Sequence, residues 1–550
     1  MEPFLSVAKW GDRDPAHVKF TDNLKMFLLK ELQMDPMTGR KDYSQKYSWS
    51  DLTLEPQLPT DFISELTKYI SPDQISKDPL ARLRNSIGKS YLELIRLRLA
   101  DISHIVELVV YPKSHEDVVN IIKVSNKFKV PISTVAGGTS MTLGVNSPKG
   151  SIAVNLTQMN KILTINTDSL YITSQTGIFG PELEKTLNHN NVTLGHFPQS
   201  WEYSTLGGWI ATRGAGQNST LYGKIEDMIM GIKIALGIGN TLVIKKAPAR
   251  ATGPDFNQLF TGSEGAFGII TEVTLRIWKK PQLRKMSGFF FRSFEEGLAA
   301  IKQLLQEGYN PAIIRLYDKE ETFHTEKSST LMKEPPRDSF IMRSVYKYLN
   351  SRGYLERKRC LALMIHEGNP DLVNLTRKKA IKYAKVYGGF HLWSIPAKSW
   401  IKSRYETPYL RDPILDHGIL LETFETGTTW ENVIPLYQGV RENLKEECPI
   451  IWSHASHFYK NGANLYFHIF APQEEDNEIN QFLRIKEKII DTFLEYDSTI
   501  SHHHGIGRAY GQWLPQTIGT EGMKLLKAIK KTLDPNDIMN KGVFSEDEYS

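Results

Sequence analysis

Hydrophobic positions along this chain switch repeatedly between the helical and the strand period, and the switches divide it into four zones. In residues 1–98 the amphipathic run 62–70 follows Thr60-Asp61, which predicts a helix, and a second helix is predicted over 92–99. This first zone reads as a mainly helical N-terminal addition. From 99 to 281, β-rich runs at 107–111, 152–156, 170–174, 232–236 and 269–278 alternate with helix-like segments at 116–127 and 180–188 and with glycine turns. After Lys280-Pro281 the pattern restarts. Between 282 and 470 it predicts strands at 288–291, 312–317, 360–367, 419–425 and 464–470 and a helix at 294–307, so one antiparallel sheet covered by helices is expected. The last zone, 471–550, holds a long polar helix at 475–493, a strand-like stretch at 497–501, a histidine run, and a lysine-faced helix at 521–532 ending at Asp534-Pro535. The expected class is α+β. No internal repeat or low-complexity tract interrupts it.

Composition narrows the class. Of 550 residues, 40% are hydrophobic and 23% charged, with 39 Gly and 27 Pro, which excludes collagen-like, coiled-coil and largely disordered chains. The longest apolar stretches, 105–111 and 418–421, fall far short of the ~20 residues a spanning helix needs, and residues 1–10 lack a signal-peptide core. Two cysteines, Cys360 and Cys448, make neither a disulfide framework nor a zinc cage. An intracellular protein, cytoplasmic or peripheral to a membrane, is expected, and the end Glu548-Tyr549-Ser550 resembles no peroxisomal tail. The sequons at Asn155, Asn191, Asn218 and Asn374 are accordingly expected to be unused. A net charge of +5 gives a weak bias toward anionic partners, and the absence of a basic run argues against nucleic acid.

Several motifs fail on their neighbours. Gly88-Lys89-Ser90 ends like a phosphate-binding loop, but the required first glycine is Leu83. Gly237-x-Gly239 runs on into the strand-like Asn240-Thr241-Leu242-Val243 instead of opening a helix. His115-Glu116 and His366-Glu367 lack the second histidine of a zinc-protease helix, since Val119 and Pro370 stand there. No metal ligand set is expected.

Four glycine-rich loops survive. The first is Thr134-Val135-Ala136-Gly137-Gly138-Thr139-Ser140, after the strand-like 129–132, where two glycines allow close backbone approach and successive N–H groups form a nest for a pyrophosphate. The second is Gln199-Ser200-Trp201-Glu202-Tyr203-Ser204-Thr205-Leu206-Gly207-Gly208. The third is Thr212-Arg213-Gly214-Ala215-Gly216, and the fourth Gly262-Ser263-Glu264-Gly265-Ala266-Phe267-Gly268-Ile269-Ile270-Thr271. In this order and spacing they resemble the two-subdomain FAD-binding domain of the vanillyl-alcohol-oxidase-type flavoproteins. The resemblance implies that the loops hold FAD, and without covalent attachment, because residues 135–141 contain no histidine.

Outside those loops the chain is similar to the alkyldihydroxyacetonephosphate synthase (alkylglycerone-phosphate synthase) family. The similarity runs through Lys9-Trp10-Gly11, Leu194-Gly195-His196-Phe197-Pro198, Ile314-Arg315-Leu316, Tyr409-Leu410-Arg411-Asp412, Glu422-Thr423-Phe424-Glu425-Thr426, Leu465-Tyr466-Phe467 and Ser501-His502-His503-His504-Gly505-Ile506-Gly507. That resemblance implies a substrate-binding cap domain and an ether-lipid enzyme. Such an enzyme exchanges the acyl chain of acyl-dihydroxyacetone phosphate for a long-chain fatty alcohol without net redox change. In the family's proposed mechanism flavin N5 attacks the substrate carbon, the fatty acid leaves and the alkoxide of the alcohol replaces it.

Site roles follow from the same resemblance. His502, His503 and His504 belong to the active site, Arg411 holds the leaving carboxylate, Tyr466 moves a proton if its pKa is lowered, Arg315 is needed for activity, and Thr139 and Thr423 line the site. An extended histidine run would turn His502 and His504 to one face and His503 to the other, which suits proton transfer better than closure around one metal. Three departures, Gln199 for the family's Asp, Thr423 for Ser and Gly214-Ala215 for Ala-Ser, touch flavin or substrate contacts. A homodimer is implied by the family alone, and the helix at 523–533 and the N-terminal helices are candidates for membrane contact. The alternative reading is an FAD-dependent dehydrogenase of D-lactate or another 2-hydroxy acid, with Arg411 on the substrate carboxylate.

Overall fold

The computed structural model describes residues 7, 9–11, 18–35, 55–99, 101, 105–146, 148–332 and 340–546. The expectation about Glu548-Tyr549-Ser550, and most of that about residues 1–10, lies outside them. The helix expected at 62–70 ends at Leu66 and continues as turns. α1 (Tyr91–Arg98) starts at Ser90 through a reciprocal capping box with Glu93, whose carboxylate also accepts the Gly88 N–H. The Gly88-Lys89-Ser90 motif is therefore a helix start. Tyr91, Leu92, Leu94 and Ile95 are buried in the core beneath the sheet of residues 283–472, so this helix is part of the cap.

Strands β1 (Ile75–Ser76), β2 (Leu108–Val110), β3 (Ile132–Val135) and β4 (Ile152–Asn155) pair in the order β1-β2-β4-β3, parallel except at β1. α2 (His115–Phe128) crosses from β2 to β3, two strands that run parallel on either side of β4. It ends on Lys129 in the left-handed conformation, φ 53°, so the strand expected from 129 begins only at Ile132. Lys129 is spent on turning the chain out of the helix. The chain continues through β5 (Ile162–Asn166), β6 (Tyr171–Gln175), β7 (Val192–Thr193), β8 (Ile229–Leu236), β9 (Thr241–Val243), β10 (Gly268–Arg276) and β11 (Trp278–Lys279). Five of these make an antiparallel sheet, β5-β6-β10-β8-β9, and β7 pairs with β11. Thr205 caps the short α3 (Leu206–Ala211) beside this sheet.

The third sheet is antiparallel throughout. β12 (Leu283–Phe291), β13 (Ile313–Tyr317), β14 (Cys360–Gly368), β15 (Phe390–His391), β16 (Ile419–Thr429), β17 (Ile450–Phe458) and β18 (Gly462–Pro472) lie in the order β15-β12-β14-β13-β17-β18-β16. Helices α4 (Phe294–Gln306), α5 (Pro370–Val386) and α7 (Glu478–Glu495) cover one face, while α6 (Thr407–Asp416) precedes β16. Alternate positions on these strands point to opposite faces. Ile314, Leu316, Phe424, Ile451, Ala455, Leu465, Phe467 and Ile469 enter the helix-covered core. Burying each large side chain contributes about 1.5–3 kcal/mol. Their neighbours Ile313, Arg315, Thr423, Glu425, His454, Tyr466 and His468 take the other face. This antiparallel sheet under helices, together with the two-sheet unit before it, is the α+β architecture expected of a flavin-binding domain with a cap.

The C-terminal segment closes the molecule. α8 (Leu514–Leu533) breaks at Gly519, φ 70°, and therefore starts earlier than the helix expected at 521. Beyond it, Ile132 N–H donates to the Ile538 carbonyl at 2.7 Å and Asn540 N–H to the Ile132 carbonyl at 2.8 Å, adding an edge to the first sheet. Among the described residues, no helix is long and apolar enough to cross a membrane.

Candidate active site

A cavity of about 320 Å³ lies where the glycine loops meet the polar face of the third sheet. Its floor is the first loop, Thr134–Ser140. Gly138 has φ 66°, a conformation side chains resist, and a Cβ on Gly137 would stand 2.0 Å from the Tyr203 carbonyl oxygen. Among the described residues, the N–H groups of Gly137, Gly138 and Thr139 donate to no protein acceptor, and the Thr134 hydroxyl is buried without a partner. Unspent donors facing a cavity favour an anionic or carbonyl-rich ligand.

The other loops reach the cavity through some residues only. Gln199, Ser200, Ser204, Thr205, Thr212, Gly214, Ala215 and Glu264 line it. Trp201, Glu202, Tyr203, Arg213, Gly265, Ala266, Phe267, Gly268, Ile269 and Ile270 do not. Each is committed elsewhere. Trp201 stacks on Tyr405, Tyr203 packs edge-on against Trp10 and hydrogen-bonds Tyr409, and Arg213 donates to Thr261 and Gln258. Phe267 sits in the hydrophobic core, and Gly268–Ile270 belong to β10. Gln199, at the position of the family's Asp, donates to the Arg404 carbonyl and accepts from Gln217. Glu264 accepts N–H groups of Ile506 and Gly507, and burial pushes its carboxyl up to about 7.

Register assembles the wall opposite. Tyr317, His454, Tyr466 and Glu425 are successive cross-strand partners in one row, and Trp452, His468 and Thr423 in the next. The Tyr466 hydroxyl is 2.9 Å from His504 Nε2, and its ring stacks on His454 with centroids 5.0 Å apart at 11°. Burial raises the Tyr466 pKa above the usual phenol range, so the hydroxyl stays neutral and the lowered pKa on which its proton-moving role depended is not met. Thr423 Oγ1 lies 3.0 Å from His468 Nδ1.

The histidine run is not extended. Asp497 is left-handed, φ 51°, residues 497–501 form no strand, and the chain wraps Glu425 instead. His502, His503 and His504 N–H groups donate to the Glu425 carboxylate at 3.0–3.1 Å, and Ser501 Oγ adds a bond at 2.9 Å. Burial opposes this charge, but the imidazoles of His503, His504 and His502 outweigh it and hold the Glu425 pKa well below the usual carboxyl range. His503 and His504 line the cavity, with burial holding the His504 imidazole down to about 4. His502 lies behind them with Nε2 2.6 Å from the Tyr459 hydroxyl. His502 Nδ1 and His503 Nδ1 are 2.9 Å apart, so the expected splaying of neighbouring rings gives way to a tight pair.

Arg411 enters from α6. Nη1 donates to the Lys89 carbonyl, while Nε and Nη2 are buried without a protein partner, at the wall of the cavity. A planar guanidinium with two donors free is a fork for a carboxylate or phosphate. Arg315 lines the cavity from β13, and its Nη2 lies 3.2 Å from His454 Nδ1 and 3.7 Å from Glu321 Oε1.

Among the described residues, two groups have donor atoms close enough for one metal ion, Glu321 with His454 and His468, and Glu425 with His502 and His503. The guanidinium of Arg315 already stands at the first, and the carboxylate of the second already accepts from Ser501, His502, His503, His504 and Asn464. Sequence reasoning missed His454, His457, His468 and Glu321. The available signal was the alternation of buried histidines with apolar residues along β17 and β18.

Residues 106–245 match the family described as FAD binding domain, and residues 280–543 match FAD linked oxidases, C-terminal domain. An alkyldihydroxyacetonephosphate synthase of Dictyostelium discoideum is 32% identical over 94% of this chain and 87% of its own length. The chain belongs to the alkyldihydroxyacetonephosphate synthase family. The family's member in Trypanosoma brucei brucei is 32% identical over 88% of this chain and 81% of its own length. A solved alkyldihydroxyacetonephosphate synthase structure superposes with TM-score 0.79 at 31% identity, covering 94% of this chain and 92% of that one. As a synthase of this family the protein is an FAD enzyme, and the free N–H groups and glycine cradle of the first loop fit that cofactor.

Proposed function

We propose that the protein exchanges the acyl chain of acyl-dihydroxyacetone phosphate for a long-chain fatty alcohol, forming an alkyl ether and releasing a fatty acid. The observation that carries this reading is the unpaired Nε and Nη2 of Arg411 on the same cavity as the Tyr466–His504 pair. FAD, held by Thr134–Ser140, Thr205, Thr212 and Gly214–Ala215, supplies a nucleophilic nitrogen toward the carbon that loses the acyl group. Arg411 grips the departing carboxylate through two parallel hydrogen bonds and stabilises its charge as the bond breaks. Trp400, Ile313 and Leu421 give the apolar lining that a hydrocarbon chain needs. Tyr466, held as a neutral phenol by burial, hydrogen-bonds His504 Nε2 and orients that neutral imidazole at the cavity. His503, with Nδ1 3.1 Å from Glu425 Oε2, is a second imidazole backed by a carboxylate and takes the proton at the reacting carbon.

The purified yellow protein, given palmitoyl-dihydroxyacetone phosphate and hexadecanol, is expected to yield the hexadecyl ether and palmitate without an electron acceptor, read by mass spectrometry. Failure to form the ether, together with anaerobic bleaching of the flavin by D-lactate, would replace this reading with a 2-hydroxy-acid dehydrogenase. A D-lactate dehydrogenase of Arabidopsis thaliana is 25% identical over 88% of this chain.

A further inference from the structure

The exchange just proposed moves protons at two places, the reacting carbon and the hydroxyl of the incoming alcohol. We propose that His454, aligned by Glu321, is the catalytic residue that takes the alcohol proton. The proposal rests on the transferase reading above and deepens it.

Three observations converge on His454. Its Nδ1 lies 2.8 Å from Glu321 Oε2, and both residues are buried. A carboxylate at that distance fixes the tautomer with hydrogen on Nδ1 and leaves the Nε2 lone pair for the cavity that the ring lines. The ring is also held in one plane, stacked on Tyr466 and flanked by His468 at 5.5 Å and Tyr317 at 5.9 Å. Arg315 Nη2, 3.2 Å from Nδ1 and 3.7 Å from Glu321 Oε1, can only donate and so competes for that nitrogen; the shorter 2.8 Å contact to the accepting carboxylate puts the hydrogen on Nδ1 and leaves Arg315 to balance the charge of Glu321.

The assignment to the alcohol follows from what the other bases already do. His504 Nε2 is engaged by the Tyr466 hydroxyl, and His503 Nδ1 by Glu425 on a separate strand and loop. Two carboxylate–imidazole pairs thus face one cavity from different elements, one for each proton. His454 stands between β13 and β18, opposite Tyr317 and Tyr466, on the wall of the same cavity that Ile313, Trp400 and Leu421 line, so the hydrocarbon of an alcohol has apolar surface within that cavity. In the step, the O–H bond breaks and its proton goes to His454 Nε2. The fatty-acid carboxylate has left earlier with the pair of its C1–O bond, when the flavin nitrogen would take its place, and the electron pair left on the alcohol oxygen forms the new bond to C1 as that nitrogen would depart with its own pair. No oxidant or reductant is consumed.

The test uses full-length holoenzyme in two assays, hexadecyl ether formation and exchange of the palmitoyl group with isotopically labelled palmitate, which involves no alcohol. In His454→Gln, ether formation should fall about 10²–10⁴-fold while palmitate exchange stays within about threefold of wild type. Glu321→Gln should lower ether formation about tenfold, spare the exchange, and make the rate depend more steeply on alcohol acidity. A 2,2-difluoro alcohol, a stronger acid, should recover part of the loss in both variants and none of it in His503→Gln. Flavin absorbance confirms that each variant retains its cofactor, and Glu321→Gln carries the test if His454→Gln does not. Equal loss of both reactions, or undiminished ether formation in either variant, overturns the assignment. Absence of ether with the wild-type enzyme instead refutes the transferase reading itself, independently of any variant.

Discussion

Glu425 organises the histidine loop as a cap organises a helix end, by collecting donors that would otherwise be orphaned. Three consecutive N–H groups and a serine hydroxyl converge on one buried carboxylate, which makes the loop a concave nest with an internal anion. Glu425→Gln would aim an amide NH₂ at those same donors, and we expect ether formation to drop at least about 10²-fold with flavin content preserved. Turnover measured beside flavin absorbance checks this, and normal turnover would mean the loop holds without the charge. At this scale the sequence pointed to the histidines, Arg411 and Tyr466 through a family resemblance. Nothing in it announced Glu321 or His454, because a carboxylate and an imidazole 133 residues apart become partners only when β17 lies beside β13.

The elements explain which loop residues can serve a ligand. Short-range patterns located most of the longer strands but fewer than half of the helices: Lys319–Leu331, α5 and Val433–Leu444 were not anticipated, and β17, which mixes Ser and His with apolar residues, and α6, which carries Pro408 and Pro413, escaped the periodicity. The glycine loops were legible as loops. Which side chain of each faces the cavity depends on how the loops pack on one another, most tightly where Gly137 meets the Tyr203 carbonyl. Gly137→Ala should push the first and second loops apart and lower the flavin-to-protein ratio of the purified enzyme severalfold, measured by absorbance, with the fold retained by circular dichroism. A stoichiometric flavin content in that variant would show that the loop can shift without cost.

Buried ionisable groups make the whole molecule sensitive to pH in two opposing ways. Burial holds the imidazoles of His196 and His468 down to about 3 and that of His504 to about 4. It pushes the carboxyls of Glu264, Glu422 and Asp318 up to about 7. Unfolded histidines titrate near ~6.5, so between about pH 4 and 6.5 the unfolded chain binds more protons and the histidine contribution is lost as pH falls. The carboxyls bind more protons in the fold from about pH 4.5 to 7, so their contribution is lost as pH rises. His366, held down to about 3, and His454, His457 and His502, held well below the usual range, join the histidine set, so the carboxyls offset it only in part from about pH 4.5 to 6.5, and below about 4.5 the histidine loss continues alone. Urea midpoints should therefore fall less steeply across that window than below it. A decline as steep from pH 6.5 to 4.5 as below it would contradict the raised carboxyls.

By itself the sequence determined the α+β class, the flavin loops and the family, because each is written in local period, glycine placement or contiguous motif. Only the tertiary structure decided which residues share the cavity, how Glu425 bends the histidine run, and that His454 stands on Glu321. Those outcomes depend on strand register and on burial, and both are set by packing between segments far apart in the chain.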